Sequence, residues 1–333
     1  VIKGKLGEMT EVDLVPLEET IVTLTTGGYI KRINPATYKI QKRGGKGIMG
    51  MKTMQDDIVE HFLCASTHDN LMFFTDSGKV FQTQVYEIPE GTRVARGRGL
   101  LNFLELSTEE KVLSLVPTVK DELHKYLVMV TKDGTIKKTA LEEFKNERKS
   151  GIIAIKLDKG DLLRKVVKTT GEDDIILTTK HGIAIRFKEK DIRAMGRAAA
   201  GVRGIRLKKE DEVISMDVIA NPKAQTPKPK QWLLVVMENG YGKRTEISQY
   251  KVQGRGGSGI KTANITSKTG GIVMACILED IANDEDLIVI SRKGNVIRTS
   301  VKSISLLGRA TQGVRIMRLD EGDKVASGAC LKD

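Results

Sequence analysis

The segment VTLTTGGYIKR at residues 22–32 returns five more times along the chain. It is found as MFFTDSGKVFQ (72–82), VMVTKDGTIKK (128–138), ILTTKHGIAIR (176–186), LVVMENGYGKR (234–244) and IVISRKGNVIR (288–298). Every copy is an apolar run, a polar turn closing on glycine, and a second run whose end is usually basic. Such repetition confines the chain to a repeat architecture, because one hairpin cannot bury its apolar face alone whereas stacked copies can. The turn glycines are Gly28, Gly78, Gly134, Gly182, Gly240 and Gly294. A two-residue hairpin turn requires positive φ at this place.

Two further anchors keep the same register. A second glycine stands at Gly47, Gly99, Gly151, Gly201, Gly259 and Gly313, followed by Ile48, Leu100, Ile152, Val202, Ile260 and Val314. Ten residues beyond it comes an acid, at Asp57, Glu109, Asp161, Asp211 and Asp323, with Thr269 in the fifth copy. A catalytic acid is needed once per protein, so this recurrence reads as a structural turn and a charged edge. Another β-rich run, such as VLSLVPT or VISMDVI, completes each unit of roughly 50 residues. About four short strands per unit, repeated six times, point to an all-β, propeller-like array in one domain over 1–333. The expected blades are 21–66, 71–118, 127–169, 175–219, 233–278 and 287–331. The Pro/Lys-rich stretch at 220–231 reads as an exposed insertion.

Composition narrows the partner. Hydrophobic residues at 40% can supply a core, and 55 Lys+Arg against 43 Asp+Glu leave +12, which favours a polyanion over a neutral ligand. No apolar run reaches the ~18 residues of a membrane span, and the opening VIKGKLGEMT lacks a signal-peptide core. A cytoplasmic protein free of membrane is expected, and the start at Val1 reads as a piece of something longer. Cys64, Cys276 and Cys330 each lie 17 residues past their second glycine, a slot held elsewhere by Val116 and Val218. Cysteine alternating with valine reads as an interior strand position, not a metal site. His61, His68, His124 and His181 share no register, so no metal ligation is expected. No phosphate-loop motif is present, and GRGLLN at 97–102 fails as a dinucleotide fingerprint at its last glycine.

The basic loops before the second glycines hold the chemistry. They read QKRGGKG, RVARGRG, NERKSG, MGRAAAG, GRGGSG and LGRATQG, with at least one arginine in each. One such loop is a turn by default, whereas six at one place in a repeat array line up cations along an edge. The candidate rim residues are Arg96, Arg98, Arg148, Lys149, Arg197, Arg255 and Arg309, with Arg32 from the hairpin. Aromatic residues make up 4% and do not interleave with these loops, so a duplex held through phosphates is favoured over a stacked single strand. Four residues past the hairpin glycine stand Arg32, Gln82, Lys138, Arg186, Arg244 and Arg298. Strict alternation puts each on the face of the apolar residue two before it, so either the strand curls or the side chain snorkels.

The first loop carries a resemblance. Gln41, Lys42, Arg43, Gly44, Gly45, Lys46 and Gly47 fit the heptad Q-[RK]-R-G-G-[RK]-G of the gyrase A C-terminal domain family, and EETIVTLTTGGYIKRI resembles that family's first blade. The resemblance extends over nearly the whole chain. It implies a six-bladed β-pinwheel whose basic rim bends duplex DNA, with Gln41 through Gly47 required for a wrap of positive handedness. The complete enzyme of that family turns the wrap into ATP-driven negative supercoiling. The implied partners are duplex DNA, the same polypeptide's N-terminal cleavage domain and a gyrase B subunit in an A2B2 assembly. ATP and Mg belong to that holoenzyme, with no cofactor in this domain. The family's cleavage tyrosine follows an arginine, and none of the six tyrosines here does, so no catalytic residue is expected. The chain ends at GACLKD without the acidic tail of some members. The rival readings are a topoisomerase IV-type domain, a basic protein-interaction propeller and, third, a propeller hydrolase. The isolated domain is expected to be a monomer.

Overall fold

A computed structural model describes residues 14–34, 59–92, 95–118, 123–145, 150–221, 230–279, 285–293 and 295–331. Six antiparallel sheets succeed one another along the chain. Among the described residues the first five have four strands and the sixth has three. Contacts gather the first two sheets into one compact unit, and the other four, with Asp76–Gly78, into a second. No helix of the described residues is long and apolar enough to cross a membrane.

Each sheet is built on the repeated hairpin. In the fourth, Asp174–Thr179 pairs with Ile183–Lys188 on one side and Val213–Ile219 on the other. Both hairpin strands are buried on both faces, since this sheet lies between the third and the fifth, and Asp174–Thr179 has no exposed residue. This explains the continuous apolar runs of the repeat, where a one-sided sheet would alternate. Apolar layers fill the space between successive sheets within a unit. One gathers Val22, Leu24, Phe73 and Phe81, another Ile175, Leu177, Ile185 and Met216, and a third Leu234, Val236, Leu287 and Val289.

The fourth strand of a sheet does not come from its own repeat, contrary to the expectation of self-contained units. Val202–Arg203, from the fourth repeat, pairs with Thr135–Ala140 of the third sheet. Ile260–Lys261 joins the fourth sheet, and Val314–Arg315 the fifth. In the first unit Arg98–Gly99 joins the first sheet and Ile152–Ile153 the second. In the last four repeats the second glycine is therefore the entry point of an exchanged strand, while Gly99 is itself the second residue of its strand. At Gly313 φ is +79°, and a Cβ would sit 2.6 Å from the Gly242 carbonyl oxygen. Only glycine permits both the turn and the approach.

Three of the recurring acids, Asp161, Asp211 and Asp323, prove to be buried clips, whereas Glu109 is exposed and Asp57 lies outside the described residues. Asp211 accepts hydrogen bonds from the Thr179 hydroxyl at 2.7 Å and from the amides of His181 and Glu212, both at 2.9 Å. Asp161 takes the amides of Asp133 and Leu162, and Asp323 those of Lys293 and Lys324. Each of these three thus holds the hairpin turn of its own repeat. In the fifth repeat the Thr269 hydroxyl bonds only within its own loop, accepting from the Thr266 amide and donating to the Thr266 carbonyl, and the hairpin turn is held instead by the Asn239 amide donating to the Thr269 carbonyl.

In the first, third, fourth and fifth repeats the cation four past the hairpin glycine neither curls away nor reaches solvent as a free charge, whereas Arg298 in the sixth is exposed and pairs with Asp286 of its own sheet. Arg32 donates from Nε to the Ile88 carbonyl and pairs with Glu90 at 3.2 Å. Arg244 reaches the carbonyls of Ile304 and Lys302, and Arg186 those of Ile247 and Tyr250. These carbonyls belong to the short 3-10 turns of the following repeat, so the cation clips successive sheets together. The cysteine slot is less interior than expected, because it lies on the outermost long strand of each sheet. Cys64 is exposed, while Cys276 and Cys330 are half-buried with their sulfurs 2.7 Å apart.

Candidate nucleic-acid interface

The cationic loops lie where one repeat hands its strand to the sheet before it. In the second unit the loops of consecutive repeats are zipped by backbone hydrogen bonds. The Lys156 amide donates to Ala199, Arg206 to Gly257 and Asn264 to Thr311, at 3.2, 2.8 and 3.0 Å. Side chains follow the same path. Arg255 donates from Nη1 to the Arg203 carbonyl at 2.6 Å, and Arg309 from Nη1 to the Lys261 carbonyl at 3.0 Å. A loop arginine is thereby laid beside the exchanged-strand cation of the preceding repeat. Arg203, Lys261 and Arg315 are exposed on those two-residue strands. They were not among the candidates from sequence. The available signal is a cation two residues past the second glycine in the last three repeats, visible once that glycine is known to start a strand.

In the first unit Arg96 and Arg98 are exposed, and the Arg96 guanidinium lies 3.8 Å over the Tyr29 ring. Tyr241, at the equivalent place in the fifth repeat, lies under Arg315 at 5.6 Å and Lys268 at 5.5 Å. The Tyr241 hydroxyl accepts from Arg315 Nη2 at 3.2 Å. That hydrogen bond, against an opposing effect of burial and helped by the charges of Arg315 and Lys268, pulls the phenol below its usual range. The reading that aromatics stay apart from the loops is thus corrected. The rings are distant in sequence and reach the cations through strand exchange. Their faces are already covered by cations, an arrangement that orders the charge and leaves less ring for a stacked base. Arg197 is half-buried, and Arg32 is held in the joint described above. Gln41 through Gly47, Arg148 and Lys149 lie outside the described residues.

Successive four-stranded antiparallel blades, each completed by its neighbour in sequence and carrying a cationic loop at the exchange, define a β-propeller-class protein. The chain matches the family described as DNA gyrase C-terminal domain, beta-propeller, in six segments: 19–66, 69–118, 125–170, 173–220, 231–275 and 285–332. It belongs to the gyrase A C-terminal domain family. It is 42% identical over 332 residues to the DNA gyrase A protein of Staphylococcus epidermidis, a match covering 99% of this chain and 36% of that protein. Identity to the DNA gyrase A protein of Mycolicibacterium smegmatis is also 42%, over 319 residues, with coverages of 95% and 37%. The chain therefore spans little more than a third of the length of these curated relatives. A solved DNA gyrase A C-terminal domain superposes with TM-score 0.73 at 27% identity, covering 94% of this chain and 99% of that one. A topoisomerase IV C-terminal domain superposes with TM-score 0.78 at 24% identity, covering 96% and 94%, which is a likeness of fold.

Proposed function

We propose that the chain binds duplex DNA without reading its sequence and bends it along the zipped loops, as the DNA-wrapping part of a gyrase A protein. One observation carries the reading: Arg255 and Arg309 are tied to the carbonyls of Arg203 and Lys261, so cations of consecutive repeats lie side by side. Like charges held at neighbouring positions repel, and a polyanion laid along them relieves that repulsion while releasing its own counterions. Contacts to phosphates fix position and carry no sequence information. Bending 20–30 bp by 40–90° costs on the order of 1–6 kcal/mol, which a handful of extra phosphate contacts offsets.

Within a whole gyrase, the wrap would select the sign of the crossing passed to the cleavage domain and so the direction of supercoiling. Strand cleavage, ATP and Mg belong in this reading to the N-terminal cleavage domain and the gyrase B partner of an A2B2 assembly. Arg43 and Lys46 of the heptad supply the contacts that start the wrap. The test is DNA bending by end-to-end fluorescence transfer, with handedness read from a topoisomer shift. The wild-type chain is expected to shorten the end-to-end distance and to give a positive wrap. Arg43→Ala combined with Lys46→Ala is expected to lose both while keeping its unfolding midpoint. Straight DNA with the wild-type chain, or normal bending by the double variant, rejects the reading.

A further inference from the structure

Among the described residues three lysines are buried to 1% or less: Lys31, Lys137 and Lys243. All stand three residues past a hairpin glycine, in the first, third and fifth repeats. The same slot holds Phe81, Ile185 and Ile297 in the second, fourth and sixth. A buried ammonium is costly unless its protons are taken, and here backbone carbonyls take them; all but that of Ala154 lie in the next repeat's cationic loop. Lys31 Nζ donates to Thr92 at 3.1 Å and Ala95 at 2.7 Å, immediately before Arg96. Lys137 Nζ donates to Ala154 at 2.7 Å and to the carbonyl of Arg197. Lys243 Nζ donates to Gly308 at 2.6 Å, Arg309 at 2.5 Å and the Thr311 hydroxyl at 3.0 Å. The Thr311 hydroxyl gives its own proton to Gly308, so it can only accept from the lysine. All three protons of the Lys243 ammonium are therefore in use. In the intervening repeats the slot gives an apolar floor: the Phe81 ring lies against Gly151, and Ile185 Cδ1 lies beneath Gly257.

We infer that Lys31, Lys137 and Lys243 are positioning residues that hold the loop arginines Arg96, Arg197 and Arg309 in the shape that binds DNA, an assignment that rests on the DNA reading above. Stability alone does not call for charge at these sites, because Phe81 and Ile185 fill the same slot without it. Burial, with the Arg197 charge added and Glu143 opposing, lowers Lys137 to about 8. Burial and Arg309 lower Lys243 to about 8 as well. A lysine whose folded value is depressed weakens the fold while it is charged, and this penalty lifts as pH rises from about 8 toward its ordinary value. The charge is thus kept at neutral pH against the interest of the fold.

The test uses Lys137→Met and Lys243→Met, singly and together, with amide exchange measured without DNA and bending measured with it. Met keeps the apolar stem and removes the donor, so the unfolding midpoint at pH 7 is expected to hold or rise. Amides around 308–312 in the Lys243 variant should exchange about tenfold faster, the equivalent of one lost hydrogen bond to a charged group, with the rest of the chain unchanged. DNA affinity should fall by a similar factor of about ten. Wild-type bending should weaken between pH 8 and 9.5, where arginine does not titrate, and the double variant, which keeps Lys31 and the lowered Tyr241 phenol, should weaken clearly less over that range. Unchanged loop exchange, or a lowered midpoint with faster exchange throughout, overturns the assignment. A wild-type chain that leaves DNA straight refutes the DNA reading, while loop exchange decides the pinning by itself.

Discussion

Asp211 fixes its own hairpin turn with three hydrogen bonds, and its side chain is almost wholly buried. Hydrogen bonds to a buried carboxylate are worth about 1.5–3 kcal/mol each in place, and deleting the acceptor strands the donors. Asp211→Ala is accordingly expected to lower stability by about 2–4 kcal/mol, read as a shift of the urea midpoint at pH 7. Asp211→Asn, which still accepts the two amides, should lose about half as much. Thr269→Asp in the fifth repeat should be milder, because the backbone bond from the Asn239 amide to the residue 269 carbonyl, which holds that turn, is kept. The acids were legible in the sequence as a turn feature through their recurrence. Their burial was not, because a charged residue at a turn defaults to solvent and its partners lie 28 to 32 residues away. The lysine slot shows the same limit. Its alternation with Phe81 and Ile185 can be read from the aligned repeats, yet apart from Ala154, 17 residues past Lys137, the carbonyls that take its protons lie 60 to 66 residues on.

At the scale of the element, the hairpin strands and the third long strand could be read directly, since their apolar runs and turn glycines are local signals. The exchanged strands could not. Val202–Arg203, Ile260–Lys261 and Val314–Arg315 are two residues long, and nothing in so short a piece names the sheet it joins. What the sequence does show is the glycine before each, whose role is decided by the neighbour's backbone. Gly313→Ala places a methyl 2.6 Å from the Gly242 oxygen in a left-handed conformation. Left-handed strain costs about 1–2 kcal/mol and overpacking about 1–3 kcal/mol more. The expected result is a loss of about 2–5 kcal/mol, with protection from amide exchange lost first in Val314–Arg315 and Tyr241–Glu246. Gly322→Ala is the control, with the same sign of φ at +74° but nothing within 4 Å, and should show the strain alone.

At the scale of the whole molecule, the net charge of +12 overstates what a polyanion would meet. Lys31, Lys137 and Lys243 are buried, and Arg32, Lys138, Arg186 and Arg244 are bound to turns of the next repeat. The cations that remain on the strand-exchange loops and exchanged strands among the described residues are Arg96, Arg98, Arg197, Arg203, Arg255, Lys261, Arg309 and Arg315. If each neutralises one phosphate, the logarithm of affinity should fall against the logarithm of salt with a slope of about −7. Raising salt from 50 to 200 mM then weakens binding by about 10⁴-fold, and contacts from the heptad steepen it further. Single variants divide the cations by function. Arg203→Ala and Arg315→Ala should each reduce the slope by about 1 and leave the unfolding midpoint in place. Arg244→Ala should do the reverse, lowering the midpoint with the slope intact, because its guanidinium holds the turn carbonyls of Ile304 and Lys302. Fluorescence anisotropy across a salt series, with urea unfolding of the same samples, measures both quantities. A slope near zero in the wild-type chain would mean that these eight cations face something other than phosphate. A slope that falls equally in all three variants would mean that the division between joint and rim is drawn in the wrong place.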